Sequence, residues 1–397
     1  MTSDFLYLDW AATAPLSVAA AEAMQPFLTP GIEGIAHGSA NANSLYTAGR
    51  DAFRHLEAAR KDIGRAMGGA RPDEVIFTSG ATEADNAALF GITDALMMRA
   101  DQSGDHGCVP KIIISSIEHD AVLAAARLLN TWGAQIVFVD PDSSGCVSPE
   151  ALEEVIDDET ILVSIMTLNN EVGSIMDVGA LARVAHERGA LFHTDATQAL
   201  GKMPLDVKGW NVDALSLSAH KVGGPKGVGA LYLKARTPFS AQMVGGGQES
   251  AKRSGTQNVC GVCGFAAAAR QAVAELASEP ARLRKLRDRC YRALLDNPRV
   301  EASVPWKEGD LRYAPHIVNV LVEGMESETL ILDLDNRGVC VSGGSACSSH
   351  SLDPSHVLSA LGIERKKALG SLRISLGRLT TDEDIDRFVA IFDSIVR

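Results

Sequence analysis

The sequence predicts an α/β fold, with a large unit on a mostly parallel sheet flanked by helices and a smaller α+β unit after it. Three observations carry that prediction. At 397 residues the chain exceeds what one ordinary core covers. Its middle alternates short apolar runs with longer amphipathic stretches. After about Gly261 the alternation stops, and a long helical region, Val262–Leu295 with a break near Pro280, leads into mixed α+β texture.

The strand candidates are Glu74–Thr78, Lys111–Ser115, Gln135–Val139, Ile161–Met166, Leu191–Thr194, Ala214–Leu217 and Val228–Leu233. Most are continuous apolar runs, the pattern of strands buried on both faces of a parallel sheet. Segments such as Leu123–Thr131 and Val178–Arg188 have helical periodicity and supply the crossovers. Repeated βαβ units imply a doubly wound sheet, whose ligand sits beyond the carboxyl ends of the strands. We assign residues 16–261 to the large, ligand-holding unit, and residues 1–15 with 262–397 to the small one. Ala95–Pro110, with its Gly, Asp and His residues, reads as a surface insertion.

A composition of 46% hydrophobic and 22% charged residues is that of a soluble globular protein. The net charge of -13 argues against nucleic acid as a partner, because phosphate binding needs a basic surface. The opening residues carry no basic stretch followed by an apolar core, and no uninterrupted apolar run approaches a membrane span. Seven scattered cysteines do not form a disulfide framework, so reduced thiols and a cytoplasmic location are expected.

Three segments carry chemistry. Lys221 follows the apolar run Ala214–Leu217, with Ser218 and His220 beside it and the glycine-rich turn Val222–Gly229 after it. A buried lysine has a depressed pKa and condenses with aldehydes. Read alone, a solvent-facing lysine at a strand end is the commoner case, and Lys226 inside the turn competes for the role. Asp195 follows the strand Leu191–Thr194 and has the charge to pair with a protonated pyridine nitrogen; its bland reading is a helix cap or an Asx-turn. Gln198 lies within reach of a phenolic oxygen on the same ring. The run Phe77–Glu83 passes from strand through Gly80 into a helix beginning near Ala81 and Thr82. Free N–H groups there and the Thr82 hydroxyl suit a phosphate, although capping alone would explain the segment.

Cradle, carboxylate and lysine occur in that order, each after a strand, and the motifs around them resemble one family from end to end. YLDWAATAP, NANSLYTAGR, TSGATEADN, EHDAV and NNEVG come first, then HTDATQALGK, SLSAHKVGGPKGVGALY, GGGQE, RSGTQN, SGGSACSS and SLRISLGR. The chain is similar to the class V aminotransferase-like, fold-type I pyridoxal-phosphate enzymes, and within them to the NifS/IscS-like cysteine desulfurases. The resemblance implies pyridoxal 5'-phosphate as cofactor, held by Lys221, with Asp195 on its ring nitrogen and Gln198 on its phenolic oxygen. It places His119 over the ring as a proton carrier, Ala81, Thr82, Ser218 and His220 on the phosphate, and Thr256 on the phosphate of a neighbouring subunit in a homodimer. Asn170 lies beside cofactor and substrate, and with Arg373 it would hold the carboxylate of L-cysteine. Without the family, His119 reads as a strand-end histidine, Asn170 as a turn residue and Arg373 as a surface ion pair.

Cys347 decides the reaction class. It stands among Gly343, Gly344, Ser345, Ser348, Ser349 and His350, too polar and small a setting for a core thiol, and suits a group that collects sulfur and delivers it elsewhere. By resemblance the chain would convert L-cysteine to L-alanine and pass the sulfur as a Cys347 persulfide to an acceptor protein, a scaffold or sulfur carrier. Iron–sulfur cluster assembly and thiolation are the pathways implied. Selenocysteine lyase and a same-fold aminotransferase are the competing activities, and the Cys347 motif argues against the latter. No metal is expected in the resting enzyme: Cys260 and Cys263 form a C-x-x-C with no second pair, which reads as helix packing. Tyr46, where the family often has His, and Asp120 after His119 are the departures.

Overall fold

The three isoleucines of Lys111–Ser115 show why a continuous apolar run becomes a strand here. Side chains alternate across a strand, so Ile112 and Ile114 enter the core on one face of the sheet and Ile113 enters the core on the other. Leu162 and Val163, and Ile76 and Phe77, divide in the same way. The computed structural model describes residues 5–104, 107, 109–343 and 353–396.

A two-residue strand, β1 (Leu6–Tyr7), opens the described chain. The central sheet holds β2 (Val75–Thr78), β3 (Lys111–Ser115), β4 (Gln135–Val139), β5 (Thr160–Ser164), β6 (Leu191–Asp195), β7 (Ala214–Ser218) and β8 (Gly229–Leu233). Their order is β2-β8-β7-β6-β5-β3-β4. The β7–β6–β5–β3–β4 pairings are parallel, and β8 runs antiparallel to both its neighbours. The carboxyl ends of β2, β3, β5, β6 and β7 therefore share one edge, and the turn entering β8 joins them there. From β3 the chain goes to β4 on one side and to β5 on the other, which opens the crevice where such sheets bind ligands. β4 departs from the expectation of burial on both faces: it is the edge strand, with Phe138 exposed.

β9 (Val300–Ala302), β10 (Ile317–Val322) and β12 (Ser371–Ser375) form a small antiparallel sheet, and β1 pairs with β11 (Val339–Cys340). A second core collects Leu6, Leu8, Leu286, Tyr291, Val318, Ile374, Phe388 and Phe392. The opening residues Leu6 and Leu8 thus pack with the C-terminal part. Helix Val259–Ala274 packs the other way. Its Val262, Phe265, Ala268 and Ala269 belong to the first core, together with Leu56 and Ile63 of helix Thr47–Ala66. That packing also accounts for a helix which, with its extension to Ala277, has the length and composition of a membrane span while 56% of it is buried inside the fold. The break near Pro280 falls at Ser278, and Pro280 sits in the first turn of Glu279–Leu295, where its missing N–H costs nothing. Ala95–Gln102 are not an inserted loop: they continue the helix Ala81–Gln102.

Helix starts differ in one respect that matters for the site. Asp177, Asn258 and Thr381 cap their helices with side-chain oxygens. Helix Ala81–Gln102, like Thr47–Ala66 and Glu279–Leu295, begins with no capping side chain, here at Gly80. β8 passes close beneath this start: a Cβ on Gly229 would stand 2.6 Å from both the Gly80 carbonyl carbon and the Leu217 carbonyl oxygen. Those are backbone atoms that cannot swing aside. Gly229→Ala should lower unfolding free energy by about 1–3 kcal/mol, seen as a lower denaturant midpoint, and an unchanged midpoint would show that the strands separate freely.

Candidate active site

A cavity of about 600 Å³ opens at the shared strand edge. It is lined by Ala81 and Thr82 after β2, His119 after β3, Asn170 after β5, Asp195 and Gln198 at the end of β6, and Ser218, His220 and Lys221 at the end of β7. Arg373 of β12 reaches it from the small sheet. Of the site residues expected from sequence, two stand apart. Thr256 is exposed and does not line the cavity, and Cys347 lies outside the described residues.

Lys221 ends a single helical turn, Ala219–Lys221, directly after β7. Its Nζ donates to Ala11 O at 2.6 Å and Ala12 O at 2.9 Å, which holds the amine against the N-terminal segment. Lys226 also touches the cavity but is exposed, at its rim. The turn between them needs Gly223, whose φ of +86° few side chains tolerate.

Asp195 is buried, and its Oδ1 accepts from Thr197 N at 2.8 Å, so one carboxylate oxygen is fixed by the backbone. Gln198 donates Nε2 to Ala11 O at 2.9 Å. His119 caps helix Asp120–Thr131: its Nδ1 accepts from Ala121 N at 3.1 Å, which places the proton of the neutral ring on Nε2. Asp120 opens that helix, where a carboxylate complements the positive end of the helix dipole.

The uncapped first turn of Ala81–Gln102 leaves backbone N–H groups free at the cavity wall. Glu83 would repel an anion there, but Arg253 grips it at 2.8 and 3.2 Å. His220 contacts Thr13 Oγ1 at 3.1 Å through Nδ1. Burial, with the charges of Lys221 and Lys226, pulls its pKa down to about 4, so it meets a ligand as a neutral group.

The expectation that Arg373 is a surface ion pair outside the family context fails: it is 2% exposed. Its Nη2 lies 2.9 Å from Asp9 Oδ1, and its Nη1 donates to Asn170 O at 2.8 Å. Its Nε has no hydrogen-bond partner among the described residues. A guanidinium has five N–H donors, so this fork is braced and still has donors for a carboxylate.

These residues fit pyridoxal phosphate. An uncapped helix start suits the phosphate, a fixed carboxylate suits a ring nitrogen, and a lysine amine on the same cavity suits an aldehyde. Sequence reasoning missed Asp9 and the Ala11 and Ala12 carbonyls, which hold the arginine, the glutamine and the lysine. It also missed a buried polar layer behind Asp195, made of Asp85, Glu118 and His193, all 0% exposed. The available signal was a charged or polar residue inside an otherwise apolar face, as with Asp85 next to Ala84, Ala88 and Leu89.

The family model for Aminotransferase class-V matches residues 6–388. Over 392 residues the chain is 41% identical to cysteine desulfurase IscS of Methanosarcina thermophila, covering 99% of this chain and 92% of that one. Among solved structures, a NifS-like protein superposes with a TM-score of 0.87 at 34% identity, covering 98% of this chain and 99% of that one. SspA in complex with cysteine superposes with a TM-score of 0.77 at 31% identity, covering 93% and 98%.

His193 supplies a test of the buried layer. Its Nδ1 lies 2.8 Å from Ser164 Oγ and its Nε2 3.0 Å from Ser216 Oγ, and burial drives its pKa down to about 3 from 6.5. Below about pH 6.5 the unfolded chain binds a proton that the folded state refuses. This histidine's share of stability is therefore complete above that pH and is lost as pH falls toward 3. His193→Gln should flatten the acid side of the stability curve by about 1.4 kcal/mol per pH unit, measured by urea unfolding between about pH 6 and 4. Equal slopes in the two proteins would show that His193 is not held neutral.

Proposed function

The chain belongs to the class-V aminotransferase family, among its IscS-like cysteine desulfurases, and we propose how its residues divide the work on L-cysteine. The observation that carries this reading is the meeting of Lys221, Asp195 and an uncapped helix start on one cavity. Lys221 holds pyridoxal phosphate by its aldehyde; Asp195 pairs with the ring nitrogen; Gln198 faces the phenolic oxygen. The first turn from Ala81 and Thr82, with Ser218 and His220, receives the phosphate. When bound, the cofactor supplies an electron sink for the bond broken at the substrate Cα.

Arg373 receives the substrate carboxylate, with Asn170 beside it. Its brace on Asp9 and the Asn170 carbonyl keeps the fork from turning, which favours one orientation of the amino acid. Once released from the cofactor, Lys221 Nζ accepts the Cα proton, and His119 Nε2 is the second site for moving one. Cys347 then attacks as the thiolate. A bond forms between its sulfur and the substrate sulfur as the substrate C–S bond breaks. The bonding pair stays with the substrate carbon, which takes a proton on the way to alanine, and Cys347 keeps the sulfur as a persulfide.

The persulfide sulfur passes to an acceptor protein, a scaffold or sulfur carrier, in iron–sulfur cluster assembly or thiolation in the cytoplasm. The working form is a homodimer in which Thr256 serves the neighbouring subunit's phosphate. Two features support that assembly. Thr256 is exposed, and so are the apolar Ile32, Leu45 and Val244, at 86%, 88% and 81%. Asn43 of the same surface donates to Gln257 at 2.9 Å. Tyr46, the departure noted in the sequence, is exposed here too.

Cys347→Ser tests the sulfur step. A hydroxyl is barely ionised at neutral pH and attacks sulfur poorly. The variant should take up cofactor as wild type does while alanine formation from cysteine falls at least about a hundredfold, roughly 2.7 kcal/mol of barrier. Mass spectrometry of cysteine-treated wild type should find one added sulfur on the peptide bearing Cys347. Full turnover by the variant would move the reading to another activity of this fold. Sedimentation should give twice the chain mass, and an active monomer would remove Thr256 from the site.

A further inference from the structure

Behind Asp195 stands a second carboxyl group for which the reaction has no use. Asp85 lies one turn into helix Ala81–Gln102, below the start that receives the phosphate. It is 0% exposed, and neither of its oxygens makes a hydrogen bond of ordinary geometry among the described residues, although the Ser216 hydroxyl stands near enough to interact with it. The basic group nearest to it is His193 Nε2 at 3.7 Å, and that imidazole is neutral and already engaged by Ser164 and Ser216. Asp195, at the end of β6, lines the cavity.

A charged Asp85 would be a buried anion without a counter-ion, set near a second anion. Either condition alone is unfavourable, and the group avoids both by keeping its proton. Burial and the nearby Asp195 charge both push its pKa well above the usual carboxylate range. Glu118, the other acid of this layer, has another task. Its Oε1 accepts from Met166 N at 2.6 Å and holds the chain leaving β5.

We propose that Asp85 is a proton-bearing positioning residue, a neutral acid that links the phosphate-binding helix to the strands bearing Asp195 and Ser216 and leaves one negative charge beneath the cofactor nitrogen. It rests on the pyridoxal-phosphate site described above. As a neutral acid it offers one donor and one acceptor to Ser216 and His193. Asparagine offers the same pair, and alanine offers neither.

Infrared difference spectra of cofactor-free wild type and Asp85→Asn at neutral pH test the proton. The carbonyl stretch of a protonated carboxylic acid should be present in wild type and lost in the variant. If the lost band is that of a carboxylate, Asp85 is ionised and the proposal falls. Pyridoxal-phosphate titration tests the positioning. Asp85→Ala should weaken cofactor affinity about tenfold, the scale of one lost buried hydrogen bond, and Asp85→Asn should recover affinity to within about threefold of wild type. Wild-type affinity in Asp85→Ala, or equal weakness in both variants, would overturn it. Failure of the wild type to bind cofactor would instead overturn the site reading, while the infrared result would still decide the proton on Asp85.

Discussion

The active site depends on a strap of about ten N-terminal residues that is stitched to both cores. Leu6 and Leu8 anchor it in the second core and Ala11 in the first. Leu8 N donates to Cys340 O at 2.9 Å, Ala11 N to Ser375 Oγ at 2.9 Å, Ala14 N to His220 O at 2.9 Å and Ser17 N to Gly223 O at 2.8 Å. Between these stitches lie the groups that hold the site: the Ala11 and Ala12 carbonyls for Lys221, Ala11 O for Gln198 and Asp9 for Arg373. A lysine beside a cavity has many rotamers, and two backbone acceptors reduce them to one without adding a charge. The strap thus joins the cavity wall at the edge of the large sheet to Arg373 of the small one.

Two of the charged groups at the cavity are matched by an opposite charge. Arg253 neutralises Glu83 beside the uncapped helix start, and Asp9 braces Arg373. His220 and His193 are neutral, for the same reason of burial. Burial also pushes up the thiols of Cys260, Cys263 and Cys290, which suits packing rather than sulfur chemistry. In a site of low dielectric, uncompensated charges would dominate the energetics, so neutral groups leave the paired ones to determine where a ligand sits.

Much of this was legible in the sequence because polar residues interrupt apolar runs at strand ends. Asp195 and Lys221 each end such a run, and β3, β4 and β6–β8 fall within a residue of their expected bounds. Other features leave no local trace. Backbone carbonyls such as Ala11 O have no side-chain signature, and the Asp9–Arg373 pair spans 364 positions. The reversal of β8 follows from its connection to β7, residues 219–228, which is shorter than a parallel crossover needs, while longer connections keep β3 to β7 parallel. The helical stretch from Val262 reads as part of the small unit because the strand–helix alternation stops there, although its apolar faces complete the first core.

Chemical trapping of the cofactor tests the central assignment most directly. Purified protein loaded with pyridoxal phosphate is reduced with borohydride, digested and mapped by mass spectrometry. The cofactor's mass should be found on the peptide bearing Lys221. Its mass on Lys226 or Lys202, or on no lysine, would contradict the assignment.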